Sequence, residues 1–255
     1  MLPVRRRMLA PLLGAALAAL SGASAHDAPR AAPAPGAVAP DVAAGPRTVP
    51  RAHFSAPNGC RNLTVLGYPA AGFPRVLPLT RFCPFEPRTD CLGEAVPQRS
   101  KLALRDHPKA KRDAIKWRMK KGQAVTPADL GDPTADTDYE LCVYVEAGDV
   151  CWLVLHPDAL AGSGWAARRN GFRFRMKKGL HPEGLRRLRL RTGADGKARI
   201  VLRGGGEQLG LRALPLPDGA AVLVQLYNGI GQCWSTEFGQ EPAQTTPKRF
   251  RDRSD

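Results

Sequence analysis

The dominant pattern in this sequence is an alternation of apolar and cationic residues. Ile115, Trp117 and Met119 alternate with lysines and an arginine, and Phe172 and Phe174 alternate with arginines in the same way. A period of two residues is typical of a strand with one buried face and one face in water. The alternative, a basic helix across residues 109–121, fits this apolar spacing less well. Each segment is therefore predicted to be a strand with one apolar and one cationic face.

Continuous apolar runs predict further, central strands. Such runs extend from Tyr139 to Val145, from Val150 to Leu155 and from Ala221 to Tyr227, and turn sequences such as Asn228-Gly229 separate them. Helix is restricted to one short turn at residues 126–131, where a threonine N-cap precedes a proline. About nine short strands at this spacing predict an all-β fold, an antiparallel β-sandwich.

The ends of the chain differ in composition from its middle. Arginines, a short apolar run and Ala23-Ser24-Ala25 predict a secretory signal peptide, and the run is too short to predict a transmembrane segment. The choice between general secretory and twin-arginine export stays open. The predicted organisation is a signal peptide at 1–25, an Ala/Pro-rich disordered linker at 26–56, a sandwich domain at 57–238 whose N-terminal extension (57–99) contains cysteines, and a disordered tail at 239–255.

The charge balance favours anionic partners. The formal net charge is +15, of which the predicted signal peptide carries three arginines and no acid. In a periplasmic or extracellular protein, such a field attracts acidic polymers or envelope surfaces. A bias toward Ala, Arg, Gly and Pro explains part of the excess, and solvated strand edges are the alternative for the outward cations. The candidate anion-binding residues are Lys116, Arg118, Arg173, Arg175, Arg189 and Arg191.

Six cysteines in an exported chain predict disulfides, and no Cys or His spacing typical of zinc sites is present. Cys83 and Cys91 are close together in a proline-containing segment, which favours a bond between them. A hairpin centred on Ala147-Gly148 would place Tyr144 opposite Cys151, so that Cys142 must pair elsewhere. The predicted set is Cys83–Cys91, Cys142–Cys233 and Cys60–Cys151.

Three other groups of residues suggest chemistry. Asp132, Asp136, Asp138 and Glu140 offer hard oxygen ligands of the kind that Ca²⁺ takes, although surface acids balancing nearby cations are the alternative; no other cofactor is indicated. Trp165, in a glycine-flanked loop, is the aromatic residue expected outside the core, where it could stack on a ligand. His156 with Asp158 could form an acid–base pair, although no nucleophile motif accompanies it.

Several separated segments, in the same order, resemble one known family. They are Leu130 to Thr134, Tyr139 to Tyr144, Gly193 to Ala198, Leu214 to Leu226 and Cys233-Trp234. The chain from about Cys83 to Phe238 resembles β-rich domains of secreted proteins from soil and predatory Gram-negative bacteria. Cys151 departs from that pattern. The family has no assigned activity, so the resemblance implies a β-rich fold and no catalytic residues.

Three functions follow as hypotheses. The first is a non-enzymatic exported protein that binds an anionic polymer or envelope surface through its cationic face, without any dedicated nucleic-acid motif. The second is a secreted hydrolase with a loop-built site around Asp132 to Glu140 and His156. The third is a purely structural domain.

Overall fold

A computed structural model describes residues 60–62, 80–148, 150–211, 214–239 and 242–255. The predicted signal peptide and linker lie outside these residues. Among the residues described, no helix has the length and apolar character needed to cross a membrane.

The described residues form fourteen strands, one short α-helix and two 3-10 turns. In chain order the elements are β1 (Cys60–Asn62), β2 (Lys101–Arg105), a 3-10 turn (Ala110–Arg112), β3 (Ala114–Gly122), α1 (Pro127–Leu130), β4 (Tyr139–Ala147), β5 (Val150–Leu155), β6 (Asp158–Ala159), β7 (Trp165–Arg168), β8 (Gly171–Arg175), β9 (Leu185–Arg191), β10 (Ala198–Gly205), a second 3-10 turn (Glu207–Leu209), β11 (Ala221–Asn228), β12 (Cys233–Phe238), β13 (Gln244–Thr246) and β14 (Arg249–Arg253).

The strands form two sheets, which confirms the predicted all-β sandwich. The large sheet has eight antiparallel strands in the order β13-β14-β2-β3-β10-β9-β8-β7. The small sheet has the order β1-β5-β4-β11-β12, with β6 paired to the end of β4. All pairs are antiparallel except β1 with β5.

The apolar faces predicted from period two form the core between the sheets. Ile115, Trp117 and Met119 of β3 are buried, as predicted, and belong to the same cluster as Val222 and Val224 of β11. The two sheets are also joined by a buried hydrogen bond, in which Trp117 Nε1 donates to Thr236 Oγ1 at 2.7 Å. The alternation along β3 therefore reports burial against the opposite sheet, and the helical alternative for residues 109–121 is excluded.

A covering segment, residues 80–91, packs on the outer face of the small sheet. Phe82 contacts a second apolar cluster there, which includes Tyr144 and Tyr227. Tyr144 donates its hydroxyl hydrogen bond to the Pro84 carbonyl at 2.9 Å, and Gln225 Nε2 donates to the Arg88 carbonyl at 2.6 Å. Because both faces of the small sheet are covered, β4 is buried almost throughout, which explains its continuous apolar sequence.

Two disulfides attach the covering segment, and they differ from the predicted pairs. Cys83 bonds Cys142 and Cys91 bonds Cys233, with Cα–Cα distances of 5.6 and 4.8 Å. The predicted Cys83–Cys91 and Cys142–Cys233 bonds are wrong. β11 lies between the strands that carry Cys142 and Cys233, which puts these cysteines about 10 Å apart, beyond the ~7 Å Cα limit of a disulfide.

The third predicted bond, Cys60–Cys151, is only partly described. The backbone of Cys60 lies opposite Cys151 in the β1–β5 pair, and Cys151 is disulfide-bonded. The side chain of Cys60 lies outside the described part of the chain. The β4–β5 hairpin pairs Cys151 with Glu146, so its turn is one residue further along than predicted and Tyr144 faces Leu153.

Two local predictions have opposite outcomes. The short helix is confirmed as α1, with a capping box in which Thr126 and Asp129 exchange side-chain and backbone hydrogen bonds. The predicted disordered tail, 239–255, is wrong, because β13 and β14 lie in it and extend the large sheet beyond β2. Phe250 is the one apolar residue that β14 places in the core, so its sequence carried little periodic signal.

Candidate anion-binding surface

The outer face of the large sheet carries an unusual excess of positive charge. The eight strands contain eighteen lysines and arginines and a single acid, Asp252, which is buried. We call these eighteen residues the cationic face. They are Lys101, Arg105, Lys116, Arg118, Lys120, Lys121, Arg168, Arg173, Arg175, Arg186, Arg187, Arg189, Arg191, Arg199, Arg203, Arg249, Arg251 and Arg253.

The strand order brings the six predicted anion-binding residues onto this one surface. Lys116 and Arg118 lie on β3, and the other four lie on β8 and β9, with β10 between. Arg203 of β10 fills the gap, since it is directly opposite Lys116 on one side and Arg187 on the other. The cations of β2, β10 and β14 lie on the same face but were not among the predicted residues.

Two β-bulges add cations to the face. The pairing of β10 with β3 skips one residue, Lys121, and the pairing of β10 with β9 skips another, Arg186. At each shift two consecutive residues, Lys120-Lys121 and Arg186-Arg187, lie between buried neighbours and are themselves accessible. An ordinary strand would turn every second one of these side chains into the core, so the bulges raise the local charge density.

In the part of the chain that the structure describes, the charges on this face are not neutralised by acids. Within the described residues, no carboxylate forms an ion pair with any of the eighteen cations. The neighbouring charge of Arg253 and then burial lower the pKa of Lys101, and the charge of Arg168 and then burial lower that of Arg173. Burial and then the charge of Arg189 lower the pKa of Arg199. The Nε atoms of Arg173 and Arg199 are buried without a hydrogen-bond partner.

One corner of the cationic face is concave. A depression of about 490 Å³ is bounded there by eleven residues, of which eight are lysine or arginine and none is acidic. The strands contribute Lys101, Lys120, Lys121, Arg191, Arg199 and Arg253 to it.

The four candidate calcium ligands do not converge. Asp132 accepts hydrogen bonds from Thr134, while Asp138 accepts one from the Ala161 N–H and pairs with Arg81 at 3.3 Å. Asp136 accepts a hydrogen bond from Thr137, and Glu140 is buried elsewhere. Among the described residues, the groups close enough to share an ion contain Cys83 with Cys142 or Cys91 with Cys233. Those sulfurs are bonded to each other and are not thiolate ligands.

Trp165 is in the core, contrary to the prediction. It is 9% exposed and packs between Tyr139 and Phe174, with both ring centroids 5.4 Å away. Its Nε1 donates to the Leu160 carbonyl at 3.0 Å. Its aromatic neighbours lie on other strands, Phe174 opposite it on β8 and Tyr139 on β4, whereas the flanking glycines suggested a loop. It cannot serve as a stacking platform.

The candidate acid–base residues lie in a buried polar network at the end of β4. His156 Nδ1 is 3.3 Å from Glu140 Oε1, and their side chains are 5% and 2% exposed. Burial disfavours the imidazolium, but the Glu140 carboxylate outweighs it and raises the pKa of His156. The backbone N–H of Asp158 donates to Glu183 Oε2 at 2.7 Å. Glu183, absent from the predicted set, joins this network because the chain after β8 returns to it.

This network supports the fold and leaves little room for a substrate. Glu140 accepts hydrogen bonds from the backbone N–H groups of Phe82 and Cys83, so it holds the covering segment in place. A carboxylate used in this way and enclosed by protein has no access to a reacting group. The geometry therefore does not favour the hydrolase hypothesis.

Comparison with known proteins found no family model, curated protein or solved structure that matches this chain. The resemblance to a secreted β-rich family stays a prediction.

Proposed function

We propose that this protein is an exported, non-enzymatic β-sandwich that binds an anionic polymer through its cationic face. The observation that supports the proposal is the concentration of eighteen cations, without one accessible acid, on the strands of a single sheet. Positive charge spread evenly over a protein attracts anions weakly, whereas charge collected on one face acts on a polymer at many points together.

The spacing of the charges suits a repeating anion. Cations on neighbouring strands are about 5 Å apart, and alternate residues on one strand are about 7 Å apart, so the seven strands that carry cations make a lattice roughly 30 Å wide. The aromatic residues of these strands, such as Trp117 and Phe174, point into the core. The face therefore offers charge and no stacking surface, which favours an acidic polysaccharide or a phosphate-linked envelope polymer over a nucleic acid recognised through its bases.

Arginine dominates the face, which bears on the chemistry recognised. Fourteen of the eighteen cations are arginines, whose planar guanidinium groups form paired hydrogen bonds with sulfate and phosphate oxygens. Lysine would supply the charge without this geometry. The expected ligands are accordingly polymers that bear sulfate, phosphate or dense carboxylate groups.

The binding experiment compares two triple variants with equal loss of charge. One replaces Arg187, Arg189 and Arg203 on the cationic face by glutamine. The other, called the loop variant, replaces the exposed residues Lys109, Lys111 and Lys177, which lie outside the strands. Heparin is the probe, and neutral dextran is the control polymer. The affinity of the face variant should fall about tenfold or more, and the slope of log K against log salt should fall by about 2 to 3.

The loop variant should bind heparin within about twofold of the unchanged protein, since its lost charges lie off the lattice. Circular dichroism establishes that both variants are folded. Equal losses in the two variants would show that net charge alone drives binding, and the proposed role of the face would then be abandoned.

The proposed setting is the periplasm or the extracellular space. Disulfides persist in oxidising compartments, and Cys83–Cys142 and Cys91–Cys233 are both formed. The first 25 residues have the layout of a signal peptide. The N-terminal residue of protein purified from the exported fraction tests this, and should lie at or near His26.

A further inference from the structure

The corner depression differs from the rest of the cationic face in its backbone. Among the described residues, two that are not glycine have a positive φ: Gln98 at 59° and Lys121 at 55°. Both line this depression. Left-handed backbone is unfavourable for side chains with a Cβ, and such strain accumulates at functional sites. This corner therefore departs from the regular strand geometry of the rest of the face.

The depression also gathers charge from five separate parts of the chain. Arg99 precedes β2, Lys121 is at the bulge of β3, Lys197 is in the turn before β10, and Arg191 and Arg253 end their strands. Because Lys121 is the extra residue of its bulge, it lies on the same side as Lys120. The cations therefore surround a concavity instead of lying in a plane.

We infer that this depression is a subsite for a compact phosphate group of the diphosphate type. The inference deepens the proposed function and rests on it, because the polymer or surface held by the face would present that group. A volume of about 490 Å³ is in the range of small-ligand sites. A carboxylate would engage one or two of the eight cations, whereas a diphosphate presents several charged oxygens within a few ångströms.

The electrostatics of Lys101 support the same conclusion. Lys101 lines the depression, and the charges of Arg253, Arg118, Lys120 and Arg251, together with burial, lower its pKa. This crowding of like charges has no compensating acid in the lining. A multiply charged anion would relieve the repulsion between several of these groups, and a single negative charge would relieve less of it.

Isothermal titration with inorganic diphosphate tests the subsite. The corner variant replaces Arg99, Lys121 and Lys197 by glutamine; all three are exposed and belong to the depression. The matched control is the face variant at Arg187, Arg189 and Arg203, which removes the same charge outside the depression. Diphosphate should bind saturably, at least about tenfold more tightly than orthophosphate, because it can form more charge-assisted hydrogen bonds.

The corner variant should lose about tenfold or more in diphosphate affinity, and the face variant should retain most of it. For heparin the order reverses, because only Lys121 of the three corner residues belongs to the cationic face, so the face variant should lose more affinity than the corner variant. Equal effects of the two variants on diphosphate, or binding no tighter than that of orthophosphate, would overturn the subsite without touching the heparin result. Unchanged heparin affinity of the face variant would instead overturn the proposed function.

A vesicle experiment identifies the source of the group. Phosphatidylcholine vesicles containing a polyprenyl diphosphate present it on a lipid, and soluble diphosphate serves as competitor. Capture that the competitor abolishes, and that the corner variant lacks, assigns the subsite to a lipid headgroup. Saturable binding of soluble diphosphate without capture assigns it to a free or polymer-borne group.

Discussion

At the scale of single residues, two half-buried carboxyl groups, those of Asp158 in β6 and of Glu183, should make stability depend on pH. Glu183 lies beside Asp158, whose backbone N–H it accepts at 2.7 Å, and beside His181, whose Nδ1 accepts the Glu183 N–H at 3.2 Å. Burial raises the pKa of both carboxyl groups. The charge of Asp158 adds to the shift of Glu183, and the charge of Glu140 adds to that of Asp158. The folded protein therefore binds protons here more tightly than the unfolded chain does.

The raised pKa of Glu183 predicts how the stability of the protein changes with pH. When folding raises the pKa of an acid, the acid does not affect the free energy of unfolding at a pH below its unfolded pKa, which is about 4.5 for Glu183. As the pH rises from there through the folded pKa, the acid lowers the free energy of unfolding. Glu183→Gln should therefore leave the free energy of unfolding unchanged at pH 4 and increase it at pH 8, because the amide oxygen can still accept the Asp158 hydrogen bond. Urea unfolding at both pH values measures this.

The exposed carboxyl of Glu207 provides the control for that substitution. Glu207→Gln should change stability equally little at both pH values. A loss of stability at pH 8 for Glu183→Gln would mean that the Glu183 carboxylate is favourable where it lies, contrary to the direction of its pKa.

At the scale of elements, the covering segment depends on which cysteines are joined. Cys83 and Cys91 are eight residues apart in the chain, yet each bonds a different strand of the small sheet. The two bonds fix the segment at both ends across β11. The structure therefore predicts the consequences of removing cysteines in pairs.

Replacing Cys83 and Cys142 together by alanine should leave no free thiol in the denatured protein, because the remaining pairs stay intact. Replacing Cys83 and Cys91 together should leave two thiols, at Cys142 and Cys233, which are too far apart to bond. Thiol titration in denaturant counts them. The predicted local pairing would give the opposite counts, and each lost bond should cost about 3 to 5 kcal/mol of stability.

The strands differ in whether apolar periodicity in the sequence predicted them. Alternation located β3, β8 and β9 because each has at least two apolar side chains in the core, and β4 was located by its continuous apolar run. It missed β14, where Phe250 is the apolar contribution to the core. Local periodicity reports burial, so strands with little buried apolar surface remain undetected.

Pairing between distant parts of the chain could not be predicted from local sequence patterns. The disulfides depend on the order β4-β11-β12, and the burial of Trp165 depends on Tyr139 and Phe174. Neither is encoded in a short segment. The six predicted anion-binding residues lie on one surface, because outward-facing residues of strands in one sheet share the same side of that sheet.

At the scale of the whole two-sheet body, the cationic face repels itself. Nine cross-strand positions place a lysine or arginine directly opposite another, including Arg199 with both Lys120 and Arg191. Like charges in such pairs destabilise a sheet, each by some tenths of a kcal/mol. The core formed by the opposite faces of these strands must outweigh this repulsion.

Salt should therefore stabilise this protein. Raising sodium chloride from about 0.02 M to 0.5 M shortens the screening length and should raise the Tm by several degrees, since about 1 kcal/mol corresponds to 2–4 °C at this size. Thermal unfolding followed by circular dichroism measures the shift. The face variant at Arg187, Arg189 and Arg203 should respond less than the loop variant. A Tm that falls with salt in the unchanged protein would contradict the repulsion described here.

The covering segment gives the two-sheet body unequal sides. One broad side presents the cationic face, and on the other the cystine-bound segment occupies the sheet surface, with Arg88 already paired to Asp90 at 2.6 Å. A protein that binds through one side only can cover an anionic surface, but it cannot cross-link two such surfaces. Anionic beads mixed with this protein should consequently become saturated with a single layer and stay dispersed, whereas a protein that is adhesive all round would make them clump.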